Sequence, residues 1–376
     1  ALFRLSDRIN PFSFRQKHTS LKPATGESPI GRNSRNCEYK IMNNSASAPV
    51  PMVEIWRGPF LESIHAGHAM ICDEAGQIVQ AWGDPEAVVL PRSSAKMIQG
   101  LPLITSGAAD QAGLTTEQLA LACASHNGAA IHTDRVAAWL KDLELGDDDF
   151  RCGPQWPDDK PANHALIRAY EKPCQMHNNC SGKHAGFLTL SQHLGAGPDY
   201  VDPDHPVQTA CLEAFEQTTQ QASPGFGVDG CSAPNFATTL HGMARAMAFF
   251  ASAHERTDTT SQAAVRLSQA MMLHPDLVAG EGRACTELMR AMNGKVAIKT
   301  GAEAFFVSII PEKKLGVALK IVDGTTRASE CAIASILVKL GVLDAEHPAT
   351  RKRRFAPILN RRGIEAGSIK PAATLL

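Results

Sequence analysis

A serine and a lysine one helical turn apart constrain this chain more than any other feature. Leu90-Pro91-Arg92-Ser93-Ser94-Ala95-Lys96-Met97-Ile98-Gln99-Gly100-Leu101 reads as a loop feeding a helix. Pro91 breaks what precedes it, Ser93 is placed to cap, and Met97, Ile98 and Leu101 recur at helical spacing. Residues three apart share a helix face, so Ser93 and Lys96 are neighbours while Ser94 points away from Lys96. The ordinary use of such a pair is a capping serine and a solvated lysine. The other is a nucleophile with its base, which requires a buried lysine whose charge is suppressed.

Composition narrows the setting. The 376 residues are 44% hydrophobic and 20% charged with net charge -1, enough for one large or two moderate domains with a substantial core. There is no basic excess to favour nucleic acid and no apolar run long enough to favour a membrane. Ten cysteines scattered through a long chain, with no secretory signal, point to a reducing compartment, free thiols and a cytoplasmic location. Residues 1–47 are rich in Arg and Ser and poor in acids, as in a transit peptide. They are expected to be a disordered tail outside the fold, with Met42 as an alternative start.

The folded part is expected over 48–376. Short β runs at Met52–Trp56, His68–Cys72 and Ile78–Trp82 deliver the chain to Pro91. A helix follows over Lys96–Thr105, and another starts at Thr115 with Gln118 in the capping-box position. Phe150–Asn163 is a proline-punctuated loop, and Pro224–Pro234 a glycine-rich one. Helices are expected over Thr133–Leu143, Ala185–Leu194, Pro206–Gln220, Thr239–Ala253 and Ala263–Leu273. The chain then turns β at Lys295–Lys299, Ala304–Ile310 and Gly316–Ile321 before a closing helix, Ala328–Leu340. Strands at both ends around a helical middle suggest an α/β (α+β) fold. One antiparallel sheet flanked by helices is built from both termini, with a helical subdomain inserted over roughly 106–290.

Two further polar stretches bear on the serine–lysine pair. Ser125-His126-Asn127 follows a helix, where a C-terminal cap with Asn127-Gly128 as the turn is the plain alternative. Lys299-Thr300-Gly301 ends an apolar strand, where glycine beside a charged residue suggests close approach of a ligand, and an edge lysine is the plain alternative. Taken together and in order, Ser93-x-x-Lys96, Ser125-x-Asn127 and Lys299-Thr300-Gly301 resemble the motif set of serine β-lactamases and penicillin-binding proteins. The resemblance implies acyl transfer, with Ser93 as nucleophile, Lys96 as its base, and Ser125 and Lys299 completing a proton network. The oxyanion hole is expected from backbone N–H groups of Ser93 and Ala302.

A second cluster holds Cys174, His177, Cys180, Lys183 and His184, joined later by Asp229 and Cys231. Thiols at helix-turn spacing plus a distant cysteine in a glycine loop suggest zinc, and spacing alone selects Cys180, His184 and Cys231. Buried free thiols are the alternative. His65, His241 and His274 read as structural or surface groups, and Asp323 as a turn and cap before a helix or a lining of the cleft.

Over residues 53–371 the chain resembles the rhizobial-type L-asparaginase II family. The resemblance rests on Glu54-Ile55-Trp56-Arg57-Gly58, Pro91-Arg92-Ser93, Cys123-Ala124-Ser125-His126-Asn127-Gly128 and Cys152-Gly153-Pro154. Asn179-Cys180-Ser181-Gly182-Lys183-His184, Asp229-Gly230-Cys231-Ser232-Ala233-Pro234, Lys299-Thr300-Gly301 and Asp323-Gly324 complete it. It implies a penicillin-binding-like fold that hydrolyses L-asparagine, with two Ser-Lys pairs, Ser93 with Lys96 and Ser125 with Lys299. It implies zinc on Cys180, Lys183 and Cys231, tuning substrate binding rather than activating the nucleophile, and a homodimer. Asp229 is the expected anion for the substrate ammonium, with Arg92, Asn127 and Ala302 as further substrate contacts. A glutaminase, a β-lactamase or DD-peptidase, and a non-catalytic penicillin-fold sensor are the rival readings.

Overall fold

The computed structural model describes residues 47–376; the expectations for the N-terminal tail and for Met42 lie outside the described residues. Its centre is an antiparallel sheet. The strands are β1 (Val50–Arg57), β2 (Phe60–Cys72), β3 (Ile78–Trp82), β4 (Val88–Val89), β5 (Phe226–Val228), β6 (Pro234–Phe236) and β7 (Thr238–Thr239). β8 (Ala297–Gly301), β9 (Phe305–Ile310), β10 (Leu315–Ile321), β11 (Pro357–Leu359) and β12 (Glu365–Pro371) follow. The sheet runs β11-β12-β1-β2-β10-β9-β8, with β3 also on β2, so both ends of the described chain meet in it. β4 pairs with β7 and β5 with β6 in two small ladders.

Strand β9 is a near-continuous apolar run buried on both faces, and β8 beside it is buried except at Thr300. One face is covered by helix Leu240–Ser252, which packs on β10, β9 and β2. That approach is close: a Cβ on Gly316 would lie 2.1 Å from the Ala248 nitrogen and 2.3 Å from the Ala244 carbonyl oxygen. Helix Thr326–Lys339 packs on β1, β9, β10 and β12. The helical stretch between β3 and β8 is therefore not one separate layer, since Leu240–Ser252 belongs against the sheet.

The expected central helix is broken. A 3-10 turn at Arg92–Ala95 leads into Lys96–Gln99, and a second short helix, Leu101–Thr105, starts after Gly100 because Pro102 has no N–H to continue the first. Thr115 and Gln118 form the expected capping box. Inside the expected proline loop a helix, Lys160–Ala169, starts on an Asp159 cap and buries none of its residues. The expected glycine-rich loop is instead the β5–β6 hairpin.

Candidate active site

The 3-10 turn begins at Pro91 with no side-chain cap, so the expected Ser93 cap is not made. Among the described residues the Ser93 hydroxyl makes no hydrogen bond, which leaves it free. Lys96 is 1% exposed, and that excludes the solvated-lysine reading. Its Nζ donates to the Ala124 carbonyl, to Ser125 Oγ at 3.1 Å and to Cys180 Sγ at 3.1 Å. Lys299 is also fully buried, and its Nζ donates to Ser125 Oγ at 2.8 Å and to the Thr300 carbonyl at 2.8 Å. Ser125 Oγ thus sits between two lysines. Burial, and then the charge of Lys96, push Lys299 from the ordinary lysine value down to about 7.

Local packing explains the convergence. A Cβ on Gly301 would fall 2.5 Å from the Pro91 carbonyl oxygen and 2.9 Å from Ser94 Oγ, so only glycine lets β8 press on the Ser93 turn. Ser94, which points away from Lys96, donates through Oγ to the Lys299 carbonyl at 3.0 Å. The turn carrying Ser93 and the strand end leading to Ala302 are therefore on the same side of the site, as an oxyanion hole built from both requires. The Ser125 loop is held by its own backbone: Ser125 N–H donates to the Val278 carbonyl at 2.9 Å and His126 N–H to the Asn179 carbonyl at 3.1 Å. Asn127 is buried, and its Oδ1 accepts the Ala129 N–H at 3.3 Å.

Arg92 adopts φ +53°, in the left-handed region that costs a branched or long side chain strain. Its N–H donates to Asn235 Oδ1 at 3.1 Å. Its guanidinium grips Asp229 Oδ1 through Nε at 2.8 Å and Nη2 at 2.6 Å. Asp229 is thus tied to the side chain of the residue that precedes Ser93. Asp323 spends its carboxylate on His65 Nδ1 at 2.5 Å and the Thr325 N–H at 2.9 Å, the turn-and-cap reading. His241 bonds the Gly76 carbonyl at 2.9 Å and His274 the Thr116 hydroxyl at 2.8 Å, both structural roles.

The thiol cluster adjoins the lysines. Cys180, Lys183 and Cys231 are all buried, and Lys183 Nζ donates to Cys231 Sγ at 3.1 Å. The neighbouring Cys180 thiol holds Cys231 well below the ordinary thiol range, with the Lys183 charge adding to the effect, and Cys180 is pushed well above it. Burial works against the Lys183 charge, but Cys231 and Cys180 outweigh it and raise Lys183. The cluster sets the Lys183 nitrogen against the Cys231 sulfur, with the Cys180 thiol also buried there. Two soft sulfurs and a nitrogen converging in a buried site fit zinc, provided the cation displaces the Lys183 proton. Among the described residues no group of three or more His, Cys, Asp or Glu side chains is arranged for a metal, so a cation here depends on Lys183. Cys174 and His177 stay apart from this set: the Cys174 N–H and thiol both reach His177 Nδ1, at 3.2 Å and 3.1 Å, and close their own turn.

Sequence reasoning misses Asn235, Ser94 and the bond from Lys96 to Cys180, because each is a contact between distant segments with no local pattern. A surface cleft of about 550 Å3, lined by Gln111, Gln118, Trp139, Glu144, Gln192 and His193, shares no residue with this site. The nine cysteines among the described residues are all free. Among those residues no helix is long and apolar enough to cross a membrane.

A hydroxyl held between two buried lysines, with a second, free hydroxyl on Ser93 one turn before one of them, is equipped for acyl transfer. The chain belongs to the L-asparaginase II family, whose model matches residues 53–371. No curated protein matches the sequence. Among solved structures the chain is similar to Mglu in its native form, with 11% identity, TM-score 0.41, and 74% of this chain and 66% of that one covered. The glutamate form of Mglu gives 13% identity and TM-score 0.41, with 74% and 61% covered. A structure described as a β-lactamase from Bacteroides dorei gives 8% identity and TM-score 0.41, with 72% and 93% covered. The chain thus spans just under two thirds of the Mglu structures, and likeness at this level says nothing of chemistry.

Proposed function

We propose that the protein hydrolyses L-asparagine to L-aspartate and ammonia through an ester on Ser93. The observation that carries this is Ser125 Oγ, 2.8 Å from Lys299 Nζ and 3.1 Å from the Nζ of Lys96, the residue three positions after Ser93. With Lys299 near neutrality at about 7, the pair shares one proton through Ser125. When Lys299 holds that proton, Lys96 is the amine that takes the proton of Ser93. Ser93 Oγ then bonds to the side-chain amide carbon, and backbone N–H groups of Ser93 and Ala302 take the oxyanion. The network returns a proton to the leaving nitrogen, the C–N bond breaks and ammonia departs. Water repeats the sequence on the β-aspartyl ester and restores Ser93.

The positive charge shared by Lys96 and Lys299, with the Arg92 guanidinium, suits the substrate carboxylate, and Asp229 is the anion for its ammonium. Asn127 is a further contact. Zinc, when bound, would be held by Cys180, Lys183 and Cys231 and would supply a fixed positive charge beside the substrate. The resemblance also leads us to propose a homodimer and a cytoplasmic location.

A second reading makes Ser125 the nucleophile, because both lysines bond to it. Access favours Ser93, which is half-buried while Ser125 is 6% exposed. One experiment separates them: ammonia release from L-asparagine and L-glutamine in parallel, with rapid quench and peptide mass analysis. A β-aspartyl mass on the Ser93 peptide supports the proposal, and the same mass on the Ser125 peptide favours the second reading. Release from glutamine alone would make it a glutaminase, and release from neither would overturn both.

A further inference from the structure

We propose that Lys320 is a positioning residue for the oxyanion N–H of Ala302, acting by clamping a strained turn between β8 and β9; the proposal rests on the acyl-transfer reading above. The two strands pair as far as Gly301 and Phe305, and Ala302, Glu303 and Ala304 reverse the chain between them. The Phe305 N–H closes the turn on the Ala302 carbonyl at 3.5 Å. Its two central residues, Glu303 and Ala304, have φ of +58° and +57°. Two left-handed residues in a row are the conformation that hairpin turns reserve for Asn-Gly, because a Cβ crowds the backbone there. Neither residue here is glycine or asparagine. The turn therefore stores strain, and it persists only where its surroundings hold it.

The hold comes from the end of β10. Lys320 lies opposite Phe305, on the side of β9 away from β8. Its Nζ donates to the Glu303 carbonyl at 2.6 Å and to the Ile321 carbonyl at 2.6 Å. The Ile321 N–H takes the next carbonyl of the turn, that of Ala304, at 3.2 Å. The Glu303 carboxylate lies over the Asp323-Gly324 turn, where a Cβ on Gly324 would fall 2.6 Å from Oε2. Among these contacts the bond from Lys320 to the Glu303 carbonyl is the charge-assisted one, and so the strongest. The half-buried ammonium is thus spent on backbone rather than on a carboxylate. At the other end of the turn, Gly301 presses on the Ser93 turn, with its Cβ position 2.5 Å from the Pro91 carbonyl oxygen and 3.2 Å from the Ser94 nitrogen. Ala302 is the next residue, so any tilt of the turn moves its N–H relative to Ser93. An oxyanion donor acts on charge that develops in the transition state, so such a tilt is felt in kcat rather than in substrate binding.

The kinetic arm of the test depends on the acyl-transfer reading, and the exchange arm does not. Lys320→Met keeps the stem and removes the N–H donors. In the full chain it is expected to lower kcat for ammonia release from L-asparagine at least about tenfold, with KM within about twofold of the wild type. Hydrogen exchange read by mass spectrometry is expected to quicken at least about tenfold over residues 301–307, while the helix Leu240–Ser252 keeps its protection. Adding Glu303→Asn and Ala304→Gly to Lys320→Met supplies the pair that the turn favours. That chain is expected to regain slow exchange over residues 301–307 and a kcat within about threefold of the wild type. A lysine that only stabilised the fold would show no such rescue. Lys320→Met with kcat within about twofold of the wild type, or with unchanged exchange over residues 301–307, overturns the proposal. So does a fall in kcat that the Asn-Gly pair leaves in place. A wild-type chain that releases no ammonia removes the acyl-transfer reading and with it the role of Ala302, and exchange then decides the clamp alone.

Discussion

Two buried lysines cannot both stay charged around one hydroxyl without large cost. Lys299 yields, at about 7. Above that pH it is an amine able to take the shared proton, and below it an ammonium that cannot. The ascending limb of kcat/KM is therefore expected near pH 7, falling about tenfold per pH unit below it. A profile flat between about pH 6 and 8 would remove Lys299 from the proton path. Lys299→Arg keeps the charge but cannot deprotonate in this range, so it is expected to be inactive at every pH tested by ammonia release. Ser93→Ala is expected to lose at least a thousandfold in turnover, about 4 kcal/mol of barrier. Retention within tenfold would show that Ser93 is not the nucleophile. At this scale the sequence was informative about residue types and poor about partners. Ser93, Lys96, Ser125 and Lys299 stand out because their spacing is chemical. The bond from Lys96 to Cys180, which joins the lysines to the thiols, has no counterpart in spacing because 84 residues separate the two.

Elements meet here through glycines, and two of them separate function from stability. Gly301→Ala places a methyl 2.5 Å from the Pro91 carbonyl oxygen and 2.9 Å from Ser94 Oγ, where β8 meets the Ser93 turn. The strand end is expected to move away from Ser93 and Ser125. The expected loss is in kcat, at least about tenfold, with a thermal midpoint shifted by only a few degrees. Gly316→Ala instead puts a methyl 2.1 Å from the Ala248 nitrogen, in backbone that cannot yield. It is expected to destabilise by about 3 kcal/mol or more, visible in urea unfolding. Equal effects of the two changes on stability would refute this division. Elements with a buried stripe, such as the helix Ala130–Asp142 with His132, Val136, Trp139 and Leu140 inside, were legible because burial imposes a period. Lys160–Ala169 was not, since a helix that buries no residue has no core face to announce it. The first half of β2 escaped for the same reason: Phe60–Ile64 is exposed and held by backbone pairing with β1.

On the scale of the whole molecule, the sheet closes because the two ends of the described chain return to one another. That much follows from β runs flanking a helical middle. The pairing of the last strands does not, because the inward positions of β12 are Gly367, Ile369 and Pro371, with one large apolar side chain among them, and β11 buries no residue. Their contribution is nonetheless large. β12 pairs with β1 from Val53 to Trp56, the Ala372 N–H donates to the Met52 carbonyl at 2.8 Å, and Trp82 Nε1 donates to the Thr374 carbonyl at 2.9 Å. β1 carries the fully buried Met52 and Val53 into the core under helix Thr326–Lys339. Removing residues 356–376 would leave β1 as an unpaired edge beside an apolar face, which favours strand addition between molecules. The truncated chain is expected to aggregate or to lose cooperative thermal unfolding, although it keeps Ser93, Lys96, Ser125 and Lys299. Circular dichroism melts and size-exclusion chromatography check this. A truncated chain that melts within about 2 °C of the full one would show that the sheet holds without its C-terminal strands, and that closure of the two ends does not support the site.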